Sequence, residues 1–140
     1  MVVIMEASME GDGIMSGESG MKLDDAVINI QNLRLRTYIG FNPDELEKKQ
    51  DVIINVMISY GAGRACDTDE ETRALDYKVI TKKMIEHVEQ GRFRLLEKLG
   101  ADLLEIAMDS AMVTRASVTV DKPHALRFAD SVSLTLSASQ

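Results

Sequence analysis

Tryptophan is absent, and three tyrosines and three phenylalanines are the only other aromatic residues, so any core must be built from aliphatic side chains. The single cysteine, Cys66, excludes an internal disulfide and points to a reducing, cytoplasmic setting. Two histidines and one cysteine are too few for a dedicated zinc centre, so the expectation is no metal. No apolar run is long enough for a membrane span; the longest near the start, Val2-Val3-Ile4-Met5, is also too short for a signal core. Bases are missing altogether from the first twenty residues, where Glu6, Glu10, Asp12 and Glu18 supply more than half of a net charge of −7. An acidic chain of this kind argues against a general nucleic-acid or anionic-membrane surface.

What is present suffices for one domain. Hydrophobic residues make up 45% of 140, and charged residues 28%. Residues 1–22 mix Gly, Ser, Met and acids with no sustained period and read as a disordered tail, with residues 23–140 as the folded domain. Five of the nine methionines fall in residues 1–21, so Met21 is a candidate translation start.

From Ala26 the pattern alternates. Ala26, Ile28 and Ile30 share one strand face, after which Leu33, Leu35, Thr37 and Ile39 continue on odd numbers. That change of parity at Gln31-Asn32 predicts a β-bulge. Asn42-Pro43 with Glu45 predicts a short capped helical turn. A second strand carries Val52, Ile54, Val56, Ile58 and Tyr60 on one face, and residues 61–74 read as a polar loop.

Two helices follow. Asp76 is placed to cap the first, whose Tyr77, Ile80, Met84 and Val88 recur at helical spacing until Gly91. The second starts near Arg94 with Leu96, Leu99, Leu103 and Ile106 as its stripe. Two last strands are expected around Val118 and Val120, then around Phe128, Val132, Leu134 and Leu136, with Pro123 marking the turn. The order ββααββ predicts an α+β fold: an antiparallel four-stranded sheet with both helices on one face. Its two open edges favour a homo-oligomer.

Glu45, Tyr77, Glu97 and Lys122 lie just beyond strand ends or in first helical turns, where a scaffold presents chemistry at its margin. Each has a structural alternative: Glu45 in a capping arrangement with Asn42, Glu97 facing a helix dipole, Tyr77 at the core edge, Lys122 in a solvated turn. Cys66 has no helix start or basic cluster beside it to activate it, and His87 sits late in a helix where a cation is favourable. No nucleophile triad and no phosphate-loop pattern is legible.

Four segments together resemble the dihydroneopterin aldolase and epimerase family, and most of all its bacterial epimerase branch. They are Gln31 to Gly40 (QNLRLRTYIG), Leu75-Asp76-Tyr77, Arg92 to Leu99 (RFRLLEKL) and Asp121 to Ser133 (DKPHALRFADSVS), and the likeness runs from about Ala26 to Ser137. The resemblance implies the tunnelling fold and an octamer of two stacked four-membered rings with sites at subunit interfaces. It implies no metal and no cofactor, with a dihydropterin triphosphate as small-molecule substrate. Position by position it makes Glu97, with Leu96 beside it, the anchor of the amino-pyrimidine edge, a task suited to a carboxylate that accepts two N–H bonds. Lys122 becomes the group near ring N5, Tyr77 a proton relay supplied across an interface, and Glu45 the loop acid that closes on the polyol.

The implied reaction inverts C2′ of the side chain by retro-aldol and aldol steps. The alternatives are an aldolase releasing 6-hydroxymethyl-dihydropterin, with aldolase activity expected as a side reaction in any case, and a non-catalytic pterin-binding oligomer. Lys122, His124 and Arg127 form a basic turn that looks like the epimerase form, and His124 and Arg127 are candidates for the phosphates. Lys48, Lys49, Arg34 and Arg36 are further candidates, and the sequence does not choose among them.

Overall fold

The computed structural model describes residues 20–140, so most of the tail expected over residues 1–22 lies outside the described residues. The chain forms β1 (Ala26–Ile39), a short α1 (Pro43–Glu47), β2 (Gln50–Tyr60), a short α2 (Gly63–Thr68), a 3-10 turn (Glu71–Arg73), α3 (Tyr77–Gln90), β3 (Arg92–Phe93), α4 (Leu96–Ala107), β4 (Val113–Lys122) and β5 (Val132–Ser139). The strands form one sheet in the order β3-β1-β2-β4-β5.

The two hairpins, β1–β2 and β4–β5, and the β2–β4 pair between them are antiparallel, giving the expected four-stranded core. The fifth strand was not expected. Arg92–Phe93 pairs parallel to Tyr38–Ile39, so the sheet is mixed. Two residues carry no readable alternation, and this pairing exists only because α3 returns its end to β1.

The expected bulge is present. The register shifts between Ile30 and Leu33, and Asn32 takes φ of 56°, a left-handed conformation that asparagine tolerates better than most residues. Asn55 on β2 holds it, its Oδ1 accepting from the Asn32 N–H at 2.8 Å.

Three expectations need correction. Residues 61–74 contain α2 and the 3-10 turn rather than a plain loop, and Cys66 lies, exposed, in α2. α4 starts at Leu96, two residues later than Arg94. Phe128 is not on the last strand: β5 starts at Val132, and Phe128 sits in the preceding turn, 94% exposed. Its spacing fits the strand period, but the turn after Pro123 takes up the residues between.

α3 and α4 cover one sheet face. Ile80, Met84 and Val88 from α3 and Leu99, Leu103 and Ala107 from α4 pack on Val52, Ile54, Val56, Ile58, Ala116, Val118 and Val120. This core has Phe93 as its one buried aromatic ring, which agrees with the aliphatic composition. Asp76 caps α3, its Oδ1 accepting from the Val79 N–H at 3.1 Å. Thr37, fully buried, donates from Oγ1 to the Val88 carbonyl at 2.6 Å, so the end of α3 is fastened to the end of β1. Among the described residues no helix is long and apolar enough to cross a membrane.

Candidate active site

The strand registers gather several chain segments at one end of the sheet. Thr37 near the end of β1 is opposite Gln50 at the start of β2. Ile53 of β2 is opposite Asp121, one residue before the end of β4. The parallel β3 brings Phe93 beside Ile39, and the Gly40 N–H donates to the Phe93 carbonyl at 2.9 Å. Leu96 and Glu97 open α4 three and four residues later. The ends of β1 and β4, the starts of β2 and α4, and all of α1 therefore border one region.

Its centre is an ion pair. Lys122 Nζ donates to Glu45 Oε2 at 2.7 Å, with only 11% and 20% of the two side chains exposed. Lys122 is buried because even-numbered residues of β4 face the helices with Ala116, Val118 and Val120. Gln50 Nε2 donates to the same Glu45 oxygen at 3.1 Å and to the Ile39 carbonyl at 2.7 Å. Asn42 accepts the Glu45 N–H at 3.0 Å, so α1 has the expected cap, yet the Glu45 side chain turns to Lys122 and Gln50 rather than completing a capping box.

These contacts hold the Glu45 carboxyl ionised. The Lys122 hydrogen bond lowers its pKa below the ordinary 4.5; partial burial opposes this, and the Gln50 bond adds to the lowering. An ammonium and a carboxylate held in this way can pass one proton between a donor and an acceptor in a bound molecule.

Gln50 and Gly40 were not singled out in the sequence. Gln50 looks like an ordinary first residue of a strand, and its role follows from the fold of α1 over the strand end. Gly40 has φ of +129°, and a Cβ there would run into the Glu45 carboxyl. The signal available was a glycine directly after an alternating strand.

The other expected residues are placed differently. Glu97 is exposed at the start of α4, where no side chain caps the helix, so its first N–H groups remain available to a ligand beside the carboxylate. Leu96 is half-buried next to it. His124 is largely exposed, with Nε2 at 3.9 Å from Asp51 Oδ2. Arg127 stacks over the Phe128 ring at 5.4 Å, out in the turn. Tyr77 is not brought to this region. It is the first residue of α3, whose last turn is the part fastened to Thr37, and the 14-residue helix spans about 20 Å. Tyr77 is 49% exposed there, with Val79 beside it at 46%.

Among the described residues no cluster of His, Cys, Asp or Glu is disposed to hold a metal ion. His87 is used structurally: Nε2 meets Asp102 Oδ2 at 2.7 Å, and Lys98 meets Oδ1 at 2.9 Å, tying α3 to α4.

The chain matches the family model described as FolB, dihydroneopterin aldolase, over residues 28–137. It is 53% identical over 112 residues to the dihydroneopterin triphosphate 2′-epimerase of Escherichia coli K12, covering 80% of this chain and 93% of that protein. Identity to the dihydroneopterin aldolase of the same organism is 23% over 110 residues, 79% of this chain and 90% of the other. A crystal structure of E. coli dihydroneopterin aldolase with neopterin superposes with a TM-score of 0.76 at 22% identity, covering 81% of this chain and 99% of that one, a likeness of fold. The fold is therefore the tunnelling fold, and the chain belongs to the dihydroneopterin aldolase family.

Proposed function

We propose that this protein is a dihydroneopterin triphosphate 2′-epimerase, converting 7,8-dihydroneopterin triphosphate to 7,8-dihydromonapterin triphosphate. The observation that carries the reading is the 53% identity to an epimerase across nearly all of that protein, against 23% to an aldolase of the same organism. The Lys122–Glu45 pair supports it chemically.

In this reading Glu97 and the free N–H groups at the start of α4 hold the amino-pyrimidine edge, with Leu96 against the ring. The polyol leads from the ring toward Lys122. A base takes the 2′-hydroxyl proton, the C1′–C2′ electron pair moves onto C1′ and is delocalised to ring N5, and C2′ becomes an aldehyde. Lys122 stabilises the charge at N5. The aldehyde turns over and C1′ re-adds to its other face, the alkoxide recovers the proton, and C2′ is inverted. Glu45, held ionised by Lys122, closes on the polyol as a hydrogen-bond acceptor; its lowered pKa makes it a weak base, so the relay of that proton falls to Tyr77 of a neighbouring subunit. Protonation at C1′ and escape of the aldehyde would be the aldolase side reaction.

Tyr77 lies too far along α3 to join its own chain's Lys122, which supports its being supplied to a neighbouring subunit's site. We extend the proposal accordingly to a cytoplasmic homo-octamer of two stacked rings, with sites completed across interfaces. Among the described residues, the outer edge of β5 and most of that of β1 are unpaired and available for such closure.

The test is incubation of the purified protein with dihydroneopterin triphosphate, then dephosphorylation, oxidation and chromatography of the fluorescent pterins. Monapterin growing toward an equilibrium with neopterin, and its loss in Lys122→Ala, is the expected result. Dominant 6-hydroxymethylpterin would make the protein an aldolase. Neopterin alone would make it a pterin-binding protein.

A further inference from the structure

We propose that the substrate's triphosphate lies in a groove along β1 and β2 that is bordered by the last turn of α3, with Arg34 and Lys49 as the residues that select the phosphorylated substrate. The inference rests on the epimerase reading and adds the phosphate subsite to it.

The groove has a volume of about 840 Å³ and is lined by Arg34, Arg36, Lys49 and His124 among others. Its cations come from three parts of the chain: β1, the α1–β2 junction and the turn after β4. Register explains the convergence. Arg34 is opposite Ile53 and Arg36 opposite Asp51 on β2, while Ile53 is opposite Asp121, next to Lys122. Lys122 turns to the helix face, and Pro123 and His124 carry the chain round the strand end into the groove. The groove and the Lys122–Glu45 pair thus flank the same strand end. A phosphate chain extending from a polyol held at Lys122 passes that end.

Two acids, Asp51 and Glu89, line the same groove. Asp51 is already committed: Arg36 Nη1 meets its Oδ1 at 2.8 Å, and Arg36 Nη2 donates to the Lys49 carbonyl at 3.1 Å. That arrangement fixes Arg36 and spends its charge locally. Arg34 and Lys49 form no ion pair among the described residues; Arg34 bonds only the Asn32 carbonyl, at 3.4 Å, and Lys49 stands 5.8 Å from the Tyr38 ring. They are the cations left free to meet an anion.

A second groove between α3 and α4 also has basic walls, from Lys83, Arg92, Arg94 and Lys98. It opens beside Leu95, on the side of Glu97 and the amino-pyrimidine edge, which is the end of the substrate away from the phosphates. Arg127 lies on neither groove.

The experiment compares kcat/KM for dihydroneopterin triphosphate with that for dihydroneopterin in the wild type, in Arg34→Ala/Lys49→Ala, and in Arg73→Ala, an exposed charge control on the 3-10 turn. Inorganic tripolyphosphate is titrated into each by calorimetry. The expected result is a fall of about tenfold or more in the triphosphate preference of the double variant, mainly through KM, with loss of tripolyphosphate binding and no such change in Arg73→Ala. A wild-type preference retained in the double variant overturns the assignment, as does an equal fall in Arg73→Ala. A wild type that leaves the triphosphate unchanged overturns the epimerase reading instead. The titration then decides the groove alone: binding lost in the double variant upholds it, and equal binding overturns it.

Discussion

At the scale of single residues, the proposed site rests on a carboxylate kept charged in partial burial. Glu45 has a folded-state pKa below its ordinary 4.5, so its pairing contributes stability that is fully present above that value and is lost as pH falls through the lowered folded value. Glu45→Gln should keep the fold, cost about 1–2 kcal/mol and flatten the acid limb of thermal stability below about pH 4.5. Melting temperatures of the two proteins across pH 3–7 check this, and parallel acid limbs would mean that other carboxylates dominate. Glu45 and Lys122 were both legible as candidates, but 77 residues separate them and nothing local announced that they pair. Gly40 was not legible. Gly40→Ala should displace the Glu45 carboxyl and lower kcat more than it lowers the melting temperature, because the strain falls on the ion pair and not on the core. An unchanged kcat would show that the pair tolerates the displacement.

At the scale of elements, the helices do two jobs, and only one was written in their periodicity. The stripes of α3 and α4 were readable because burial on a sheet demands 3.6-residue spacing. Leu103, fully buried on α4, should cost about 2–5 kcal/mol on truncation to Ala, read as a fall in the urea midpoint. The other job is to aim chain ends. The Thr37 hydroxyl seats the last turn of α3 against β1, and Gly91 and β3 then carry the chain to Leu96 and Glu97, the proposed pterin anchor. Thr37→Val removes that buried donor at nearly constant volume. It should cost about 1–2 kcal/mol and also raise KM for the pterin, since Glu97 depends on the same junction. A stability loss with KM unchanged would separate the junction from the site. This fastening could not be read from sequence, as a threonine at that place in an alternating strand looks like one more inward residue.

At the scale of the whole molecule, one chain assembles only part of the proposed site. Tyr77 and the Lys122–Glu45 pair belong to opposite ends of α3, and both regions carry exposed apolar groups: Tyr77 and Val79 at one, Phe41, Leu46, Leu126 and Phe128 at the other. Inactive Lys122→Ala and Tyr77→Phe proteins, unfolded together and refolded as a mixture, should therefore regain measurable epimerase activity, because some interfaces then join an intact Lys122 to an intact Tyr77. Activity that stays absent, with mixed oligomers confirmed by native mass spectrometry, would show that both residues act within one chain.

The sequence alone determined the order of the four long strands and two long helices, the bulge at Gln31-Asn32, the aliphatic core and the type of each candidate residue, because alternation, helical spacing and capping are local consequences of backbone geometry. Its family likeness extended that reading to a pterin chemistry. Tertiary structure decided the rest: that Lys122 is buried against Glu45, that Gln50 and Gly40 shape that pair, that a two-residue parallel strand aims α4, and that Arg34 and Lys49 share a groove while Arg127 does not. Gln50 and Gly40 act through the fold of α1 over the strand end. The Lys122–Glu45 pair, the parallel strand and the shared groove are long-range outcomes of strand register, which is fixed by the packing of the whole sheet rather than by any single segment.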